Sequence, residues 1–265
     1  MKRCLCVNGV TIAKGYIKKI LRSAGYSWRK ARVVLTSPDP DYKEKLKRIQ
    51  SILSRLKDDE RLFSIDEFGP FAIKMYGGRK LVAPNEHNYV PQFQKSRGCL
   101  IVTAALELST NQITHFYSQK KNTAEMIKLL DLLLIQYKGV RRLHLSWDAA
   151  TWHASKKLYG HVEKINRYYC RKKNSTPIVK LVPLPKSAQF LNVIESVFSG
   201  MARAIIHNSN YESKESAMEA IDRHFNERNV FYRKFPKKAG KKIWGRELVP
   251  SSFSDSHNCK DPRWR

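Results

Sequence analysis

Three acidic residues stand where they could do chemistry: Asp66 in SIDEFGP, Asp148 in WDAATWHAS and Glu195 in LNVIESVF. Asp66 and Asp148 each follow an apolar stretch that reads as a strand. If those strands lie side by side in parallel, the two carboxylates emerge at the C-terminal edge of a sheet, where ligands bind in α/β folds. Glu195 falls on a later helix at the margin of an apolar face (Ile194, Val197, Phe198, Met201, Ile205), able to look back at the strand ends. Oxygen ligands of this type hold magnesium, and a pair of such ions can activate water while stabilising the leaving oxygen of a phosphodiester. Three carboxylates at one edge also repel one another, a cost that cations offset. The plain alternatives are strand-end aspartates that cap the next turn and a solvated helix glutamate. Intervals of 82 and 47 residues leave both readings open.

The rest of the chain is unusually basic for a sequence that places acids so selectively. Fifty Lys+Arg against 23 Asp+Glu give a net charge of +27 over 265 residues, which points to a partner carrying phosphates rather than to small-metabolite chemistry. No run of about 18 apolar residues marks a membrane span. The start, MKRCLCVNGVTIAKG, has an apolar patch too short for a secretory signal, so a cytoplasmic location is expected. Five scattered cysteines form neither a disulfide framework nor a convincing zinc set.

Periodicity predicts the elements that must position the acids. Residues 10 to 24 carry a helical apolar stripe that Gly25 ends, and YSWRKARVVLTSPDPDY reads as a basic arm and a linker broken at Pro38 to Pro40. Up to Lys57 there are 15 Lys/Arg against three acids, so Lys14, Lys18, Lys19, Arg22, Arg29, Lys30 and Arg32 are candidate DNA contacts. A second helix spans about Tyr42 to Leu56. RLFSID is a strand ending at Asp66, CLIVTAALEL and NQITHFY form a meander, TAEMIKLLDLLLIQY is a helix capped at Asn122 or Thr123, and strand, helix, strand, helix follow. This order implies a mixed sheet with helices on its faces. Leu81 to Lys95 shows no period and reads as an inserted loop. The expected organisation is a basic helical segment and linker over 1–57, the sheet-and-helix domain over 58–230 and a basic tail over 231–265, the first a partial helix-turn-helix and the second a catalytic domain by the resemblance that follows.

SIDEFGP, WDAATWHAS and LVPLPKSAQFLNVIESVF, in that order, resemble the three catalytic boxes of DDE transposases of the Tc/mariner superfamily, in the bacterial insertion-sequence branch. The resemblance covers about residues 60 to 230. It implies a ribonuclease-H-like α/β fold, a mixed five-stranded sheet flanked by helices, preceded here by a short N-terminal helical DNA-binding remnant. It assigns Asp66, Asp148 and Glu195 as catalytic residues and as ligands of two Mg2+ ions, with Mn2+ as a substitute. Element terminal inverted repeats and target DNA are the implied partners, with strand cleavage, strand transfer and a homodimer that pairs two ends. The chain departs from the family pattern at Ala149, Ala188 and Val193, none of them a metal ligand. The family's first helix-turn-helix unit has no counterpart, which implies a truncated, internally initiated or decayed copy.

Glu67, His153 and Asn192 are the candidate supporting residues. Strand alternation points Glu67 to the face opposite Asp66, His153 falls on a family position beside Asp148, and Asn192 belongs to the third box. Lys186, Arg203 and the basic stretch from Arg228 to Arg246 are further candidates for phosphate contact, and Trp147 and Trp152 read as packing residues. Two other functions fit the same composition: a truncated DNA-binding protein that does not cut, and a structure-specific nuclease of the same fold.

Overall fold

The computed structural model describes residues 4–7, 10–27, 37–148, 155–171 and 176–240. The chain divides into an N-terminal unit, within Met1–Val34, and a larger unit spanning Leu35–Pro250.

In the N-terminal unit, β1 (Cys4–Val7) pairs antiparallel with β2 (Val10–Ala13). The helix expected from residue 10 therefore begins only at Lys14, as α1 (Lys14–Ser23). The β-branched residues of Val-Thr-Ile, placed after Asn8-Gly9, favour a hairpin over an extra helical turn. Gly25, at φ 81°, closes α1 as expected, with the Tyr26 and Gly25 amides bonded to the carbonyls of Leu21 and Arg22.

The larger unit starts before its expected boundary at residue 58. The Pro-Asp-Pro segment read as a linker is tied down: Asp39 accepts from the Lys186 amide at 2.6 Å and from Lys45 Nζ at 2.8 Å, and Ser37 Oγ donates to the Lys186 carbonyl. The helix that follows, α2 (Tyr42–Arg55), buries Ile49 completely in the core. It is part of the main body, not of an appendage, because its stripe of Leu46, Ile49 and Leu53 covers one face of the sheet.

That sheet has five strands in the order β5-β4-β3-β6-β7. β3 (Glu60–Ala72) lies antiparallel to β4 (Cys99–Glu107), and β5 (Gln112–Ser118) lies antiparallel to β4. On the other side, β6 (Arg142–Ser146) runs parallel to β3 and β7 (Ile178–Leu181) runs parallel to β6. Alternation splits the apolar residues between two layers. Leu62, Val102, Ala104 and Leu106 pack with α2, α5 (Val193–Met201) and α6 (Lys214–Lys234), whereas Phe63, Ile65, Ala105 and Leu145 pack with α3 (Thr123–Gln136) and α4 (Lys156–Arg171). Trp147 is buried in the second layer, as its packing role requires.

Two element ends differ from expectation. β3 does not stop at Asp66, because Phe71 and Ala72 still find partners on β4 across a bulge after Phe68. Gly69, at φ 108°, makes that bulge, and a Cβ there would lie 2.6 Å from the Leu100 carbonyl oxygen. α6 runs through the boundary expected at 230 to Lys234, started by a reciprocal Ser213/Ser216 capping box. The tail from residue 241 lies outside the described residues. Residues 81–95 carry neither helix nor strand, as expected of an inserted loop. Among the described residues, no helix is long and apolar enough to cross a membrane.

Candidate active site

Register explains how two aspartates 82 residues apart meet. The last parallel pair between β3 and β6 is Ser64 with Ser146. Asp66 and Asp148 each lie two residues further on, level with each other and on the same face of the sheet. The β6 backbone stays anchored up to this point, since the carbonyls of Leu145 and Trp147 accept from the amides of Val182 and Leu184 at 2.8 and 2.9 Å. Asp66 is thus not the end of its strand; it sits where its parallel neighbour ends and the sheet opens.

Glu195 is brought to the same place by a buried latch between β3 and α5. Ser64 Oγ accepts from the Ile194 amide at 3.1 Å and donates to Asn192 Oδ1. Asn192 Nδ2 donates to the Ile65 carbonyl at 3.2 Å and to Asp66 Oδ2 at 3.1 Å. Asn192 also precedes the first helical residue of α5, and its carbonyl accepts from the Glu195 amide at 3.2 Å. Asp66 Oδ1 takes the Glu67 amide at 2.8 Å, so both of its oxygens are oriented. Asn192 was legible from the sequence as a supporting residue; Ser64 was not, although a serine two residues before Asp66 on the same strand face carries the signal.

The three acids lie within electrostatic reach of one another. Burial pushes Asp66 up to about 7, and the charges of Asp148, Glu67 and Glu195 add to the rise against the Glu67 amide. Glu195 is raised in turn by burial and by Asp148. All three remain partly exposed. Among the described residues no group of three or more Asp, Glu, His or Cys side chains stands close enough to hold a metal ion as it is. The open set still fits hard divalent cations in its chemistry, oxygen donors whose mutual repulsion raises their proton affinity, a penalty that cations relieve.

The other candidate residues divide. Glu67 is buried and on the opposite face, where Thr103 is its partner on β4, and Lys121 Nζ donates to its carbonyl at 3.1 Å. His153 and Trp152 lie outside the described residues, as do Arg29, Lys30 and Arg32. Lys18, Lys19 and Arg22 are exposed on α1, and Lys14 begins that helix.

Comparison with known proteins agrees with this architecture. Residues 61–217 match the family of DDE superfamily endonucleases. A 39 kDa protein of insertion element IS630 from Shigella sonnei is 22% identical over 221 residues, covering 83% of this chain and 60% of its own length. The Mos1 transposase paired-end complex with the left transposon end superimposes with a TM-score of 0.60 at 16% identity, over 88% of this chain and 69% of that one. The catalytic domain of Mos1 mariner transposase gives 0.53 at 14% identity, over 82% and 94%. The five-stranded sheet with helices on both faces is therefore the ribonuclease-H-like fold. The chain spans less than two thirds of the length of the insertion-element relative. With more than half of its residues matched by the family pattern, the chain belongs to the DDE superfamily endonucleases.

Proposed function

We propose that the chain is an insertion-sequence transposase, cleaving DNA at element ends and joining the freed 3′ hydroxyl to target DNA. The observation that carries this reading is the setting of Asp66, Asp148 and Glu195 where the parallel pairing of β3 with β6 ends, with Asp148 raising the proton affinity of both Asp66 and Glu195.

In this reading Asp66, Asp148 and Glu195 are the catalytic residues and the ligands of two Mg2+ or Mn2+ ions. Such ions supply an activated water and charge opposite the leaving 3′ oxygen. The protein's own contribution is orientation. Asn192 and the Glu67 amide fix the two oxygens of Asp66, the Ser64 hydroxyl fixes the start of α5, and α5 presents Glu195 from its first turn. Solved paired-end complexes of Mos1 with Mg and with Mn support the choice of metal. The strand-transfer and paired-end states solved for Mos1 support terminal repeats and target DNA as partners, with a homodimer to pair two ends. The N-terminal unit, with Lys18, Lys19 and Arg22 exposed on α1, is assigned to DNA contact. DNA in the bacterial nucleoid is the corresponding location.

The test is nicking and joining of a duplex that carries the element end. The wild type should cut only with Mg2+ or Mn2+, and Asp148→Asn should lose at least about a thousandfold in rate, as expected when charge stabilisation at the reacting phosphate is removed. Equal cleavage by the substituted protein would overturn the assignment.

A further inference from the structure

The parallel strands have a second end, and it is basic. Arg142 and His144 on β6 and Lys180 on β7 lie on the sheet face that α2 covers, with Arg48 and Arg55 on α2 and Lys57 just beyond it. Two contiguous cavities of about 410 and 360 Å3 run between α2 and these strands and share Ser51, Ile52, Arg142 and His144. His144 is four residues before Asp148, about 13 Å of extended backbone, so the groove lies apart from the carboxylates.

The groove is built rather than merely charged. Glu60, buried at the start of β3, accepts from Arg141 at 2.5 Å and from Arg142 at 2.9 Å, and Asp59 holds Arg141 from the other side at 2.7 Å. Those acids are occupied in fixing the two arginines. Among the described residues Arg48, Arg55, Lys57 and Lys180 make no ion pair, and all four are exposed. At the centre His144 is 7% exposed, and neither of its ring nitrogens has a hydrogen-bond partner. Glu60 Oε2 stands 3.8 Å from its Nε2, beyond hydrogen-bond reach. The buried Arg142 Nε–H is also without an acceptor. A buried N–H left unpaired is destabilising, so the groove lacks an acceptor that a phosphate oxygen would supply.

We infer that this groove binds the phosphate backbone of duplex DNA, at a place apart from the strand processed at the carboxylates. Cations spread along two joined cavities match repeating phosphates better than one small anion. The choice of duplex DNA among polyanions rests on the transposase reading; the groove's affinity for phosphate does not.

The experiment measures the affinity of the full chain for a duplex of unrelated sequence across salt concentrations. Arg48→Gln, Arg55→Gln and Lys180→Gln together remove three exposed, unpaired cations, and the fold is checked by thermal melting. The slope of log affinity against log salt should fall by about 0.9 for each phosphate no longer neutralised, about 2.7 in all. A charge-matched control, Lys128→Gln, Lys138→Gln and Lys164→Gln on the α3–α4 side, should change the slope by less than about 0.9, the share of a single phosphate. An unchanged slope in the groove variant, or an equal fall in the control, overturns the proposal. Inorganic phosphate, titrated at constant ionic strength, separates the sources. If the groove variant loses phosphate binding while its DNA slope is intact, the site takes a free anion and the DNA assignment fails. Asp148→Asn should cleave nothing yet keep the full slope, so failure of the catalytic reading remains distinguishable.

Discussion

Asp66 pays for its position with an abnormal proton affinity. Its ordinary carboxyl value of 3.8 is pushed to about 7, first by burial and then by the neighbouring acids. Between about pH 4 and pH 7 the folded chain keeps a proton there that the unfolded chain has released, so stability falls as pH rises through that window. The ceiling on this loss is about 4 kcal/mol, at about 1.4 kcal/mol for each unit of pKa. Asp66→Asn removes the titrating group but gives up part of the hydrogen bonding from the Glu67 amide and Asn192. Without divalent cations, thermal melts at pH 8 should therefore show the variant about 1–3 kcal/mol more stable than the wild type, with little difference at pH 4. A wild-type stability profile flat between pH 4 and 7, or a variant with no advantage at pH 8, would contradict the shared environment described for Asp66. Glu195 titrates in the same direction, also from burial and then Asp148.

At the scale of elements, the site depends on how β3 meets α5. Ser64, Asn192 and the Ile194 amide form a buried chain of hydrogen bonds whose end is the Asp66 carboxylate. Asn192→Ala leaves the Ile65 carbonyl and the Ser64 hydroxyl without that partner. Urea denaturation should register a loss of about 2–3 kcal/mol, and metal-dependent cleavage should fall even where the variant is fully folded. A variant as active and as stable as the wild type would remove the latch from the account. The sequence made the acids legible because metal chemistry restricts residue type, and because the third box carries Asn192 beside Glu195. It made the layers legible through apolar periodicity. The latch depends on a meeting of residues 128 apart in sequence, and the levelling of Asp66 with Asp148 on a strand register, neither of which local pattern encodes. Other departures were local and readable. Asn8-Gly9 between two short apolar runs signals the hairpin that replaces the start of α1, and the apolar residues after Asp66 continue β3 past its expected end. The stripe of α2 was read correctly as a helix but assigned to the wrong unit, because a basic outer face hides an inner face that joins the core.

At the scale of the whole molecule, charge and fold are arranged around one sheet. The carboxylates lie just beyond where the parallel pairing of β3 with β6 ends, while exposed cations line the groove where it begins. A chain with 50 basic residues and only 23 acidic ones can still concentrate negative charge at one point, because strand register and a helix start bring together acids far apart in sequence. The central claim is that Asp66, Asp148 and Glu195 act as one divalent-metal centre. It is tested most directly by titrating the protein with Mn2+ and following bound ion by electron paramagnetic resonance. The wild type should bind Mn2+ at a site well above background, and Asp66→Asn, Asp148→Asn and Glu195→Gln should each weaken it by at least about tenfold, the loss of roughly 1.4 kcal/mol. Undiminished Mn2+ binding in any of the three would contradict a shared centre.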